Sequence, residues 1–252
     1  MTKLSVVIIT LNEERNIGRC LESVKEVADD IVVVDSFSKD ETEKICKNFS
    51  VNFVQQNWRG YSATKNFAND HAKYDWILSL DADESLSPEL IKSITGWKNN
   101  GIEKPAKFNR LTNYCGSWVK RGGWYPDTKI RIFNRTKTKW AGEIHEELVF
   151  TENSEILHLN GDCFHYSYYT KEEHYKQADK FTTLAAQDLF SKNKNASVLQ
   201  VYFSPAIKFI RDYIFNLGFL DGKTGYNVAR ISASATYMKY KKLRGLNSNK
   251  KV

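Results

Sequence analysis

The sequence predicts an α/β protein, with a mostly parallel central sheet followed by a C-terminal helical extension. Three observations carry this. Short, β-rich apolar runs alternate with helix-like stretches through the first hundred residues. The runs are almost continuously apolar, as in strands covered on both faces. Beyond residue 168 only helical periods recur.

Leu4–Ile9 reads as the first strand, and Ile17, Leu21 and Val24 recur after it at helical spacing. Ile31-Val32-Val33-Val34 is the second, and Ser38-Lys39-Asp40-Glu41 fits a capping box opening the next helix. Val51-Asn52-Phe53-Val54 and Trp76-Ile77-Leu78-Ser79-Leu80 supply the third and fourth strands. Ser87-Pro88 then places a cap and an N1 proline before another helix. Residues 107–165 change to short strands, aromatics and glycine turns. Residues 170–191 carry a helical stripe of Tyr175, Ala178, Phe181, Thr182, Ala185 and Leu189. A polar break at 192–195 precedes an apolar, aromatic helical region to about Tyr240, then a basic tail. The expected organisation is a larger domain over 1–168, with halves 1–105 and 106–168, and a helical extension over 169–252.

Charge is unevenly placed in this chain of 252 residues, whose net charge is +7. Residues 1–191 hold 25 basic and 28 acidic side chains, and residues 192–252 hold 12 basic and 2 acidic. The basicity therefore belongs to the C-terminal quarter, and the rest is not a nucleic-acid-binding surface. Cys20, Cys46, Cys115 and Cys163 are widely spaced, which argues for free thiols in a reducing compartment. The first apolar run is too short for a signal peptide, and no stretch reaches a membrane span. A cytoplasmic protein is expected.

The strongest chemical signal is Asp81-Ala82-Asp83-Glu84, where the fourth strand leaves the sheet. Extended alternation would point Asp81 and Asp83 to one side. Paired carboxylates repel unless a cation relieves them, and hard oxygen ligands suit Mg²⁺ or Mn²⁺ shared with substrate phosphates. Thr10-Leu11-Asn12-Glu13 and Asp35-Ser36 end the first two strands, so in a parallel sheet they lie on the same edge. There Asp35 would accept an N–H of a uracil ring, and Glu13 would reach ribose hydroxyls. Capping of the following helices is the simpler role for Asn12 and Asp35. No GxGxxG or GxxxxGK[ST] is present, which disfavours dinucleotide-fold and P-loop enzymes.

Thr10-Leu11-Asn12-Glu13, Asp35 and Asp81-Ala82-Asp83, in this order, resemble the family 2 inverting glycosyltransferases of GT-A fold. Gly60-Tyr61-Ser62-Ala63-Thr64-Lys65-Asn66, Gly122-Gly123-Trp124-Tyr125-Pro126-Asp127, Arg131-Ile132-Phe133, His145-Glu146 and Gly218-Phe219-Leu220-Asp221-Gly222 are similar to motifs of a bacterial subgroup. That subgroup resembles the lipopolysaccharide inner-core glucosyltransferases, which add glucose to heptose. The resemblance implies a nucleotide-sugar donor, UDP-glucose first, and a divalent cation. It implies Thr10, Leu11, Asn12, Glu13, Asp35, Lys65, Asp81 and Ala82 around the nucleotide, with Asp83 the main metal ligand and Asp81 on ribose or metal. Glu146 would be the base that takes the acceptor's proton, with Glu147 in reserve and His145 beside it.

Arg131, with Lys129 on the same strand face, would pair with phosphates, the alternative being a surface ladder charge. Trp124 and Tyr125, on a loop loosened by two glycines, suit a platform for a sugar ring better than a core position. His165 would be a third metal ligand or a pyrophosphate contact, the alternative being a structural histidine. His158 and His174 read as structural or surface residues. Apolar and aromatic residues from Phe203 to Leu217, with basic neighbours, suit the interface of an anionic membrane, the inner face of the cytoplasmic membrane being expected. A helical cap or a dimer interface would use the same residues. Two other readings remain: the same fold glycosylating a protein or polyprenyl-linked saccharide, and a basic-tailed nucleic-acid-binding protein.

Overall fold

The computed structural model describes residues 1–142 and 146–249. The elements begin with β1 (Leu4–Thr10), α1 (Ile17–Val24), β2 (Asp30–Asp35), α2 (Thr42–Cys46), β3 (Asn52–Gln55), α3 (Tyr61–Asp70) and β4 (Trp76–Asp81). There follow β5 (Glu84–Leu86), α4 (Pro88–Asn99), β6 (Ala106–Tyr114), β7 (Ser117–Val119), β8 (Asp127–Asn134), β9 (Thr138–Ala141), β10 (Glu147–Phe150) and β11 (Leu157–Tyr168). The helices α5 (Lys171–Ser191), α6 (Val198–Ile210) and α7 (Gly222–Asn249) complete the chain. Between α6 and α7 lie a π-helical stretch, Arg211–Phe215, and a 3-10 turn, Gly218–Asp221.

Two compact units result, residues 1–110 with 127–166, and residues 111–126 with 167 onward. The sequence places 111–126 in the second half, 106–168, of the larger domain, whereas the chain packs this segment with the helices. Tyr114 and Val119 are buried against Val228 and Ile231 of α7. Asp221 Oδ2 also accepts the backbone N–H groups of both Lys120 (2.9 Å) and Arg121 (2.8 Å).

In the first unit the strand order is β3-β2-β1-β4-β8-β6-β11-β5, the first four parallel. β8 runs antiparallel to β4 and β6, and β11 antiparallel to β5. Alternate residues of the parallel strands feed two cores, as a period of two requires. Val6, Ile8, Val33, Leu78 and Leu80 pack with Ile17, Leu21, Leu90 and Ile94 of α1 and α4. Val7, Ile9, Val32, Val34 and Ile77 pack with Ala68 of α3, Phe133 and Trp140. Both faces are covered, which is why these strands read as unbroken apolar runs. Register brings Thr10 opposite Asp35 and Ile9 opposite Asp81, so the carboxyl ends of β1, β2 and β4 share one edge.

Ser87 caps α4 as expected, accepting from the Leu90 N–H, with Pro88 at N1. The capping box expected at Ser38–Glu41 does not form. Asp35, three residues upstream, captures the Ser38 hydroxyl, and Asp40 accepts from Thr42 instead.

In the second unit a capping box of Thr170 and Glu173 opens α5. Gly225 of α7 meets the 3-10 turn so closely that a Cβ there would fall 1.8 Å from the Gly218 carbonyl oxygen. Trp124, expected on an open sugar platform, is half-buried among Tyr114, Tyr168 and His174, with ring centroids 5.6–6.3 Å away. The loop's positive-φ glycines, Gly122 and Gly123, turn the chain so that the indole folds back onto this cluster.

His174 is 6% exposed, stacked on Tyr168 at 4.4 Å. Burial lowers its pKa from 6.5 to about 4. Unfolding then takes up a proton between pH 6.5 and 4, so stability is complete above the unfolded value and falls as pH drops through that window. His174→Phe should flatten the acid limb of a Tm-against-pH curve there. An unchanged limb would remove His174 as its origin.

Candidate active site

The edge shared by β1, β2 and β4 collects Thr10, Leu11, Asn12, Glu13, Asp35, Asp81, Ala82 and Asp83, half of the expected site residues. Among the described residues the buried Thr10 Oγ1 there has no hydrogen-bond partner. Leu11 is exposed, and Asn12 takes a left-handed φ of 55°. That turn lets the Asn12 N–H donate to Ser38 Oγ (2.7 Å) while its Oδ1 accepts from the Lys39 N–H (2.8 Å). The Glu13 N–H donates to Thr42 Oγ1 (2.8 Å), so the loops after β1 and β2 are tied along their length. The Glu13 carboxylate accepts from Asn16 Nδ2 (2.8 Å). Burial raises its pKa to about 7 against that hydrogen bond, and the charges of Asp83 and Asp40 add to the rise.

Asp35 departs from expectation. It is 0% exposed, and its oxygens accept from the Ser38 N–H (2.9 Å), the Ser38 hydroxyl and Gln55 Nε2 (3.3 Å). These bonds hold the loop that follows β2.

Asp81 and Asp83 do not point to one side, because Ala82 and Asp83 form a turn between β4 and β5 that breaks the alternation. Asp81 Oδ1 lies 3.1 Å from Lys65 Nζ, and Oδ2 lies 3.0 Å from an Arg131 guanidinium nitrogen. Burial alone would raise the Asp81 carboxyl, but Lys65 and Arg131 hold it far below the usual range. A carboxylate already neutralised by two cations is a poor metal ligand, so Asp81 is a counter-ion here. Asp83 turns the other way, with Oδ2 3.1 Å from His165 Nε2. β11 delivers that histidine: His165 pairs with Glu84 of β5, and the Tyr166 N–H donates to the Asp83 carbonyl (2.9 Å).

Arg131 is neither a surface charge nor free for phosphate. It is 4% exposed and held by Asp81 and, at 2.6 Å, by Glu84 Oε1. Arg110 joins Glu84 at 3.4 Å and Asp127 at 2.6 Å. Burial opposes the Arg131 charge, and Glu84 and Asp81 more than restore it. Glu84 and Arg110 escape sequence reasoning as site-building residues. The third carboxylate of Asp81-Ala82-Asp83-Glu84 was the available signal. Glu84 also accepts the Asp81 N–H (3.0 Å), which fixes the turn.

Lys65 is the hinge of the arrangement. It is 2% exposed, with Nζ 4.8 Å above the Trp140 ring and 3.2 Å from Glu146 Oε1. Asn66 locks α3 to β9 in both directions, donating to the Trp140 carbonyl (2.8 Å) and accepting from the Trp140 N–H (3.0 Å). The Ser62 hydroxyl donates to the Gly142 carbonyl (2.6 Å). The β9–β10 hairpin is thereby fixed on α3, and Glu146 at its start meets Lys65. Glu147, the next residue, pairs with Ala141 in the hairpin and is exposed. His145 lies outside the described residues.

Among the described residues no group of three or more metal-ligating side chains forms. Asp83 and His165 nonetheless fit a divalent cation as a pair. Two adjacent donors on an octahedral ion at about 2.1 Å stand about 3.0 Å apart, and such ions keep their other positions for water and phosphate oxygens.

A parallel nucleotide-binding-type edge carrying a carboxylate–histidine pair and a lysine-held glutamate suits group transfer from a diphosphate. Residues 5–167 match glycosyl transferase family 2, and the chain belongs to that family, whose members are inverting glycosyltransferases. It is similar to an uncharacterized glycosyltransferase of Rickettsia typhi, 31% identical over 98% of this chain and 88% of that one. It is also similar to the lipopolysaccharide core biosynthesis glycosyltransferase LpsC of Rhizobium meliloti, 28% identical over 94% of this chain and 93% of that one. Among solved structures it is similar to S. aureus TarS 1-349 in complex with UDP, at 14% identity over 99% of this chain and 92% of that one, with a TM-score of 0.46.

Proposed function

We propose that the protein moves glucose from UDP-glucose to a saccharide of the lipopolysaccharide core or a similar cell-surface glycolipid. The observation that carries this reading is Lys65 held between Asp81, at the nucleotide edge, and Glu146, on the hairpin. One buried cation would then set both the donor side and the proton acceptor. The relationship to LpsC supports the choice of acceptor.

Thr10, Leu11, Asn12, Glu13 and Ala82 would line the nucleoside, with Asp35 acting through the loop it holds. Asp83 and His165 would hold Mg²⁺ or Mn²⁺, which when bound supplies positive charge at the departing diphosphate. Glu146 takes the proton of the acceptor hydroxyl as that oxygen bonds to the anomeric carbon. The bond from that carbon to the diphosphate oxygen breaks, its electron pair leaves with the diphosphate, and configuration inverts. Glu147 faces solvent, which favours Glu146 as the base. The acceptor would be met at the inner face of the cytoplasmic membrane.

A panel of nucleotide sugars tests this, scored for thermal stabilisation and for slow hydrolysis with and without Mn²⁺. UDP-glucose should raise Tm only with the metal present, and Asp83→Ala should abolish the shift while keeping the wild-type Tm without ligand. No shift with any nucleotide sugar would sink the donor assignment. A shift indifferent to metal would sink the role of Asp83.

A further inference from the structure

The helix α6 is amphipathic the wrong way round for a helix packed on a core. Its apolar stripe, Leu199, Phe203, Ile207 and Ile210, continued by Ile214 of the π-helical stretch, keeps the spacing of one helix face, and every member is exposed. Phe215, Phe219 and Leu220 extend the patch through the 3-10 turn, with Phe215 76% exposed. Both acids in this stretch are engaged: Asp212 is 2% exposed and held by Lys208 and Arg211, and the half-buried Asp221 accepts from the amides of Lys120 and Arg121. A groove of about 600 Å³ lined by Tyr202, Phe209, Tyr237 and Arg230 opens beside the stripe.

We propose that this face inserts into the interface of an anionic lipid bilayer and docks the second unit on it. A patch this large and contiguous marks an interaction surface. Charge chooses the occupant: residues 192–252 carry 12 basic and 2 acidic side chains. A second copy would bring the same excess against itself, whereas anionic headgroups are complementary to it. Among the described residues no helix is long and apolar enough to cross a membrane, and α6 has 13 residues. The segment therefore lies in the interface, with aromatic rings at headgroup depth. This deepens the glycolipid reading by naming the surface that meets the acceptor's membrane, and it rests on that reading only for the use of docking.

Sedimentation of the full chain with vesicles tests it. Vesicles of 30 mol% phosphatidylglycerol in phosphatidylcholine should retain the protein, and pure phosphatidylcholine should retain it at least tenfold less. Phe215→Ser with Leu220→Ser should lower the partition coefficient at least tenfold at unchanged Tm. Val149→Ser, at an exposed apolar residue of β10 in the first unit, should change nothing. Equal retention of the double variant, or no retention of the wild type, overturns the proposal. So does concentration-dependent dimerisation abolished by the same two substitutions, which would assign the face to a second copy. Vesicle binding that persists when UDP-glucose fails to bind supports the docking face and rejects the donor assignment alone.

Discussion

Glu146→Gln should lower the turnover rate by about 10²–10⁴-fold, the usual range for loss of a positioned general base. Nucleotide-sugar binding should survive, because the amide oxygen of glutamine still accepts from Lys65 Nζ, and Asp81 still holds that ammonium at 3.1 Å. The signature is therefore a fall in turnover with an unchanged donor-induced Tm shift. Glu147→Gln, at the exposed neighbour, should stay within a few-fold of wild type. If the two variants exchange these behaviours, Glu147 is the base. If neither lowers turnover, the proton goes elsewhere.

The second large effect concerns stability. Arg131→Met removes the shared partner of Asp81 and Glu84 from a site where the arginine is 4% exposed. Truncating one member of a buried ion pair costs about 3–5 kcal/mol, because the partner's charge stays behind unsolvated. For a chain of this size that is a fall in Tm of roughly 6–20 °C. Glu84→Gln added to Arg131→Met should recover part of the loss by removing the stranded charge. A double variant no better than the single one would show that Glu84 is not the group left unpaired. Arg131→Lys should also fall short of wild type, since an ammonium lacks the planar fork that reaches two carboxylates at once.

The parallel half of the fold was legible because its strands are buried on both faces. Leu4–Ile9, Ile31–Val34 and Trp76–Leu80 have no polar face to obscure them, and their polar ends announce the edge where Thr10, Glu13 and Asp81 stand. The Ser87-Pro88 helix start was equally plain, because its cap uses only local bonds. The Ser38 cap was misread because a competing acceptor, Asp35, lies three residues upstream and pairs with Gln55, an interaction no local pattern encodes. Arg131 reads as a phosphate partner, and Arg110 carries no signal at all, for a similar reason. Their partner Glu84 stands 47 and 26 residues away, and only strand pairing brings them together. The separation of Asp81 from Asp83 depended on a turn that an extended reading of four residues does not contain. Trp124 was sent inward by an aromatic cluster drawn from β6, β11 and α5.

The bond from Asp221 to the amides of Lys120 and Arg121 also sets an order in time. Its partners are 101 and 100 residues apart. At synthesis rates of about 5–20 residues per second, those amides wait roughly 5–20 s before their acceptor leaves the ribosome. The first unit's parallel strands are complete well before then, whereas the segment 111–126 has no finished unit to join. A chain stalled before residue 221 would lack Val228 and Ile231 and so leave Tyr114 and Val119 without the α7 side chains that bury them, an apolar surface that the finished protein hides, which makes premature termination here a hazard for aggregation.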